Sequence, residues 1–318
     1  MRSRVTLVLA ITAVVLGGVL LVPAAYARLN GSAGGDSPSA TPTPAGIEPS
    51  APPPPTLAPA PVKISGVDGF FSWALLDRES GKISGAQNMT STNSTESMIK
   101  VWIVSDYLRQ LGSKKPSASY LKMASTSIRD SNDDSTNALY KAAGGTSSLD
   151  RLIKMCKLTE TAKVIPPGEN SIWWSYTKMS PRDAVRMGEC VKDGTAAGPK
   201  WTEWVLTEMS KVRGSVKDQQ PRQGGGKWGI IDGLPKGVLA QGPVSIKNGW
   251  TLINADGKWH LNCLAVSDDW VLSVMMRYSG GKGLGYGANV CANVASQLVA
   301  PQPGAALKVP KPLSTKAA

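Results

Sequence analysis

Ser97 and Lys100 set a nucleophile and a base three residues apart, in the run Ser97-Met98-Ile99-Lys100. Helical spacing would put both on one face, where an amine held neutral by burial can take the hydroxyl proton as the oxygen attacks a carbonyl. That chemistry is acyl transfer. Lys100 is followed by Val101, Trp102, Ile103, Val104, Tyr107, Leu108 and Leu111. Apolar residues on every side of a helical pattern read as a central helix over residues 96 to 111, buried all round. Ser97 then lies in its first turn, where free backbone N–H groups and the positive end of the dipole favour a developing oxyanion.

The spacing alone is common, since S-x-x-K recurs at Ser119 to Lys122, Ser175 to Lys178 and Ser279 to Lys282. Two downstream motifs set Ser97 apart. Ser131-Asn132-Asp133 begins 34 residues later, and Lys247-Asn248-Gly249 begins 150 residues later inside strand-like sequence from Val244 to Trp250. Order, spacing and context agree with the S-x-x-K, S-D-N and K-T-G set of the serine β-lactamases and penicillin-binding proteins. Over roughly residues 63 to 302 the chain resembles that superfamily, most closely class A β-lactamase-like serine hydrolases.

The resemblance implies an acyl-enzyme on Ser97 with Lys100 as base and Ser131 passing the proton to the leaving nitrogen. Lys247 would set a cation beside the substrate carboxylate, and Gly249 would let substrate lie against the strand. The backbone N–H of Trp250 would join that of Ser97 as the oxyanion hole. Two motifs depart from the family. Asp133 stands in place of an asparagine, and an ionised carboxylate there holds Lys100 charged unless Asp133 is protonated or Asn132 takes over its role. Asn248 replaces a hydroxyl residue, although its amide can still donate to a carboxylate. For deacylation, class A enzymes use a loop glutamate with an asparagine four residues on. Here Glu169 and Asn170 are adjacent, after Pro166-Pro167-Gly168, so Glu169 is either a displaced water-activating base or a surface-loop residue.

The expected function is therefore β-lactamase-like hydrolysis of a β-lactam amide. Two alternatives stand beside it: a D-alanyl-D-alanine peptidase-like penicillin-binding protein that deacylates slowly, and an inactive module that binds cell-wall peptide. The sole histidine, His260, lies in a strand pattern and reads as structural; with no G-x-S-x-G elbow, a Ser-His-Asp mechanism is not expected. One histidine and paired cysteines argue against zinc, and no cofactor is expected. Gly224-Gly225-Gly226-Lys227 lacks the features of a phosphate loop and reads as a flexible turn. Trp173, Trp174, Trp201 and Trp204 read as core or cleft packing.

Residues 1 to 27 carry Arg2 and Arg4, an apolar run from Val5 to Val22, and Ala25-Tyr26-Ala27, the pattern of a secretory leader or an uncleaved membrane anchor. Residues 28 to 62, rich in Pro, Ala and Ser, read as an extended linker, and 303 to 318 as a flexible tail. Export makes an oxidising compartment and two disulfides the expectation; of the three possible connectivities, element placement favours Cys156 with Cys190 and Cys263 with Cys291. The net charge of +12 falls to +10 without Arg2 and Arg4, which suits anionic cell-wall polymers as partners. With no nucleic-acid motif, DNA and RNA are not expected, and a monomer is. Strand patterns at both ends of a helical middle predict an α+β fold, an antiparallel sheet flanked by helices with an all-helical subdomain.

Overall fold

A computed structural model of the chain describes residues 62–64, 67–218 and 224–299, with the backbone of two short outlying strands. The expected leader, and most of the expected linker and tail, lie outside the described residues. In chain order the elements begin with β1 (Thr56–Ala58), β2 (Phe70–Asp77), β3 (Ile83–Gly85) and β4 (Asn93–Ser94). A 3-10 turn at Glu96–Ile99 leads into helices α1 (Lys100–Gln110), α2 (Ala118–Arg129), α3 (Asp133–Ala142) and α4 (Thr146–Met155). Then come β5 (Lys178–Met179), α5 (Pro181–Lys192), α6 (Thr202–Ser210), α7 (Ile230–Gly233) and α8 (Lys236–Leu239). The chain returns through β6 (Ser245–Ile246), β7 (Gly249–Ile253), β8 (Lys258–Val266), β9 (Trp270–Ser279), α9 (Gly283–Leu298) and β10 (Ala306–Lys308).

The main sheet is antiparallel in the order β3-β2-β9-β8, with β6 and β7 both along the outer side of β8. Alternation along β8 explains the layers on its two faces. Leu261 and Cys263 point towards α9: Cys263 is bonded to Cys291, and Gly287 lies against Leu261 and Tyr278. His260, Asn262, Leu264 and Val266 point the other way; Leu264 and Val266 meet α5 at Gly188. The second disulfide, Cys156–Cys190, ties the end of α4 to α5. Both expected pairings are present, and the α+β arrangement is the one the patterns predict. The central helix is buried through Val101, Trp102, Ile103, Val104 and Leu108.

Some details differ from the sequence reading. The helix expected from residue 96 starts as a 3-10 turn and becomes α-helical only at Lys100. The strand expected over Val244 to Trp250 is two ladders, β6 and β7, interrupted at Lys247–Asn248. The register nevertheless runs on, with Ile246 opposite Ala265 and Gly249 opposite Asn262. The last helix, expected from Asn289, starts at Gly283; a Cβ at Gly287 would lie 2.5 Å from Leu261 and from Tyr278, so the glycines that hide the helix in the sequence let it settle on the sheet. The run at Gly224 to Lys227 is not a loose turn. Gly224 and Gly225 N–H groups donate to Asp130 O, that of Gly226 to Arg213 O, and a Cβ on Gly225 would meet Arg213 O at 1.6 Å. Val62, assigned to the linker, is buried against the core.

Candidate active site

Ser97 sits in the 3-10 turn that carries the chain from β4 into α1, and β8 holds that turn in place. Asn262 Nδ2 donates to the carbonyls of Ser94 at 2.8 Å and Thr95 at 3.1 Å, while Asn93 Nδ2 donates to Asn262 Oδ1 at 3.0 Å. All four residues lie in the interior, so the bonds are made out of reach of water. From the other side β7 presses its backbone on the turn. A Cβ at Gly249 would lie 2.5 Å from Met98 N and Thr95 O and 2.7 Å from Ser97 N. Only glycine permits that approach, which brings the Ser97 N–H and the start of β7 together, as a two-donor oxyanion site requires.

Lys100, Ser131, Asp133 and Lys247 come together beside Ser97. Lys100 Nζ donates to Asp133 Oδ1 at 2.5 Å, to Ser131 Oγ at 3.4 Å and to the Ser131 carbonyl; no hydrogen bond joins it to Ser97. Lys247 Nζ donates to the same Ser131 Oγ at 2.9 Å and to Asn248 O at 3.0 Å. Burial pushes Lys100 down to about 8, against the opposing charge and hydrogen bond of Asp133. Burial and the neighbouring Lys100 hold Lys247 well below the ordinary lysine range. Two ammonium ions cannot share one hydroxyl cheaply, so Ser131 joins amines that can pass a proton between them.

A cavity of about 1070 Å³ opens in front of this cluster. Ser97, Ser131, Asp133, Glu169 and Trp250 line it, with Trp173, Trp174 and Tyr176 on the wall. Glu169 reaches it as an exposed residue of the loop. Lys247 and Gly249 lie behind the lining, fully or nearly fully buried. Asn248 faces away: its amide donates to Gly226 O and Trp228 O, each at 2.8 Å. Its hydrogens thus anchor the glycine run, and they are not offered to the cavity.

Sequence reasoning passed over Glu96. Glu96 lines the cavity next to Ser97 yet is only 5% exposed, and its buried Oε1 has no hydrogen-bond partner. Burial drives it up to about 7, opposed by the hydroxyls of Ser94 and Thr251 and by the charge of Lys178. An acidic residue directly before Ser97, at the head of a buried apolar run, was the available signal. Glu96 and Ser131 are also two of the three non-glycine residues with positive φ among those described, at 48° and 53°. Such backbone costs about 1 kcal/mol or more and persists where surrounding structure enforces it. His260, expected to be structural, is buried with Ser94 Oγ 2.6 Å from Nδ1 and Asp256 Oδ2 2.8 Å from Nε2.

No family model and no curated protein matches the sequence. Solved structures do match in fold. A β-lactamase from Burkholderia vietnamiensis is similar with a TM-score of 0.55 at 12% identity, over 72% of this chain and 90% of that one. A β-lactamase from Desulfarculus baarsii gives 0.54 at 13%, over 72% and 90%. A mutant of PBP-A, in an acyl-enzyme complex with penicillin G, gives 0.51 at 15%, over 71% and 88%. The chain therefore has the α+β fold of the β-lactamases and of PBP-A.

Proposed function

We propose that the chain is an exported serine hydrolase that opens the amide of a β-lactam or a D-alanyl peptide through an acyl-enzyme on Ser97. The observation that carries this reading is Ser131 Oγ held between Lys100 and Lys247, 3.4 and 2.9 Å away, beside a serine at the cavity wall. In the neutral form Lys100 takes the Ser97 proton as Oγ attacks the carbonyl, and backbone N–H groups of Ser97 and Trp250 receive the oxyanion. The proton then passes through Ser131 to the leaving nitrogen, and the C–N bond breaks. Glu169 is a candidate for activating the water of the second step. The fold of the β-lactamases, the leader-like start and two disulfides support the reading. The mutant of PBP-A bound to penicillin G as an acyl-enzyme makes a penicillin the first probe. The basic composition fits a place near anionic cell-wall polymers.

A second reading, a cell-wall peptide-binding module without turnover, draws on Lys100 donating to Ser131 and Asp133 rather than to Ser97. The two separate by intact mass after exposure to a fluorescent penicillin, beside Ser97→Ala. The first predicts an adduct on the wild type and none on the variant. Absence of an adduct on both, with peptide binding retained by both, would sink it in favour of the second. An adduct that decays within seconds means hydrolase turnover, and one that persists means a peptidase-like protein.

A further inference from the structure

From Glu96 beside Ser97, four side chains run in series from the cavity to the surface. Glu96 lines the cavity, with the Ser94 and Thr251 hydroxyls beside its carboxyl. Ser94 is fully buried, and its Oγ lies 2.6 Å from His260 Nδ1. His260 Nε2 lies 2.8 Å from Asp256 Oδ2, and the Asp256 side chain is 39% exposed in the turn between β7 and β8. We propose that Glu96 is the base that activates water against the acyl group on Ser97, and that Ser94 and His260 exchange its proton with the surface. The inference rests on the acyl-enzyme reading above and supplies that reading with a deacylating group.

Three observations lead there. Glu96 directly precedes Ser97 in the chain and lines the same cavity. Its Oε1 is a buried acceptor with no partner in the protein, which is the free lone pair a water requires. The single hydroxyl hydrogen of Ser94 also couples the two titrating groups. With Asp256 accepting from Nε2–H, Nδ1 is bare and the Ser94 hydrogen points to it, which leaves Glu96 without that donor and favours its neutral form. When His260 takes a second proton, Nδ1–H donates to Ser94, whose hydrogen then turns to the Glu96 carboxylate. One proton thus moves between Glu96 and His260. The other charges facing Glu96 are Lys178 on β5, Lys100 on α1 and Asp133 on α3; Asp256, Lys178 and Arg277 face His260.

The step balances within the site. Glu96 carboxylate takes one proton from water as the water oxygen bonds to the ester carbon. The tetrahedral adduct collapses, the bond to Ser97 Oγ breaks, and Glu96 returns the proton to Oγ as the carboxylic acid leaves. Burial holds Glu96 up at about 7 and His260 below its usual value, so the carboxylate form gains on the acid as pH rises through neutrality.

The test uses the full chain, acylated with a fluorescent penicillin, freed of excess reagent and followed by intact mass across neutral pH. Glu96→Gln is expected to lengthen the adduct lifetime about 100-fold or more and to abolish the acid limb of deacylation. His260→Gln is expected to move that limb while turnover continues, a change that loss of packing would not produce. Adduct decay in Glu96→Gln at the wild-type rate with the wild-type limb overturns the inference. So does a Glu169→Gln variant that alone traps the adduct, since the base would then lie in the loop. If the wild type forms no adduct, the acyl-enzyme reading has failed instead. The relay is still measured by carbon-13 NMR of glutamate carboxyls. One resonance, absent in Glu96→Gln, should titrate near neutrality and shift in His260→Gln; a Glu96 carboxyl titrating in the ordinary range overturns it.

Discussion

The two flanks of Ser97 bury charges of opposite sign and treat them differently. On one, Lys100 and Lys247 crowd Ser131, and Asp133, with a side chain 35% exposed, bonds Lys100 at 2.5 Å. On the other, Glu96 has the Ser94 and Thr251 hydroxyls beside it, the charge of Lys178 acts on it through space, and Oε1 is unpartnered. Each flank turns on a residue with positive φ, Ser131 or Glu96. Burial moves both sets towards neutrality, Lys100 down to about 8 and Glu96 up to about 7. A group near its transition can both take and return a proton, which is the property the proposed two-step acyl transfer would draw on.

The largest expected effect breaks the lysine flank. Lys100→Met preserves much of the side-chain length in a fully buried position but removes the amine proposed as base. Acylation by a fluorescent penicillin should fall about 10²- to 10⁴-fold, measured as the rate of adduct formation. Adduct formation at the wild-type rate would show that the proton leaves Ser97 by the Glu96 flank, and the division of labour would reverse.

The carboxyl flank is next, read through stability. Glu96 rises from an ordinary 4.5 to about 7 in the folded protein. A carboxyl raised on folding contributes stability that is full below the unfolded value and is lost as pH climbs through the folded one. The change is about 3 kcal/mol for this group. Glu96→Gln removes the titration, so urea unfolding should show the variant gaining on the wild type by about that amount between pH 4.5 and pH 8. A difference independent of pH would mean that the carboxyl already ionises in its ordinary range.

How far each flank was legible depends on where its partners lie. Ser97, Lys100, Ser131 and Lys247 belong to short motifs whose residue types name the chemistry, and the apolar run after Lys100 marked the helix. Glu96 gains its meaning from Ser94 and His260, a pair 166 residues apart that only the β4–β8 approach brings to 2.6 Å. Periodicity correctly placed His260 on a strand and its reading as structural holds for burial, but spacing could not reveal Ser94 or Asp256 beside it. Asn248 misled for a similar reason. The motif set it next to substrate, yet the segment through the glycine run, which composition presents as loose, comes in behind the strand, and Gly226 O and Trp228 O take the amide hydrogens. Among fold features, the antiparallel sheet and both disulfides were readable from alternation and cysteine placement. The start of α9 was not, because glycines that pack a helix closely on a sheet look locally like a break.

The smallest expected effect sharpens the comparison by making the flanks more alike. Asp133 raises Lys100 through its charge and hydrogen bond, opposing the burial that lowers it. Asp133→Asn removes the charge, so the amine should fall below about 8, with a larger neutral fraction at pH 7. Acylation should quicken roughly two- to fivefold at neutral pH, and its acid limb should move to lower pH by about one unit. Deacylation should change less, since Asp133 reaches Glu96 only as a weak repulsion. The sign decides between two roles for this departure from the family pattern. Faster acylation with a shifted limb means Asp133 restrains an otherwise competent base. Slower acylation with an unmoved limb means its carboxylate orients the Lys100 amine, and the lysine flank then depends on its counter-charge in a way the Glu96 flank does not.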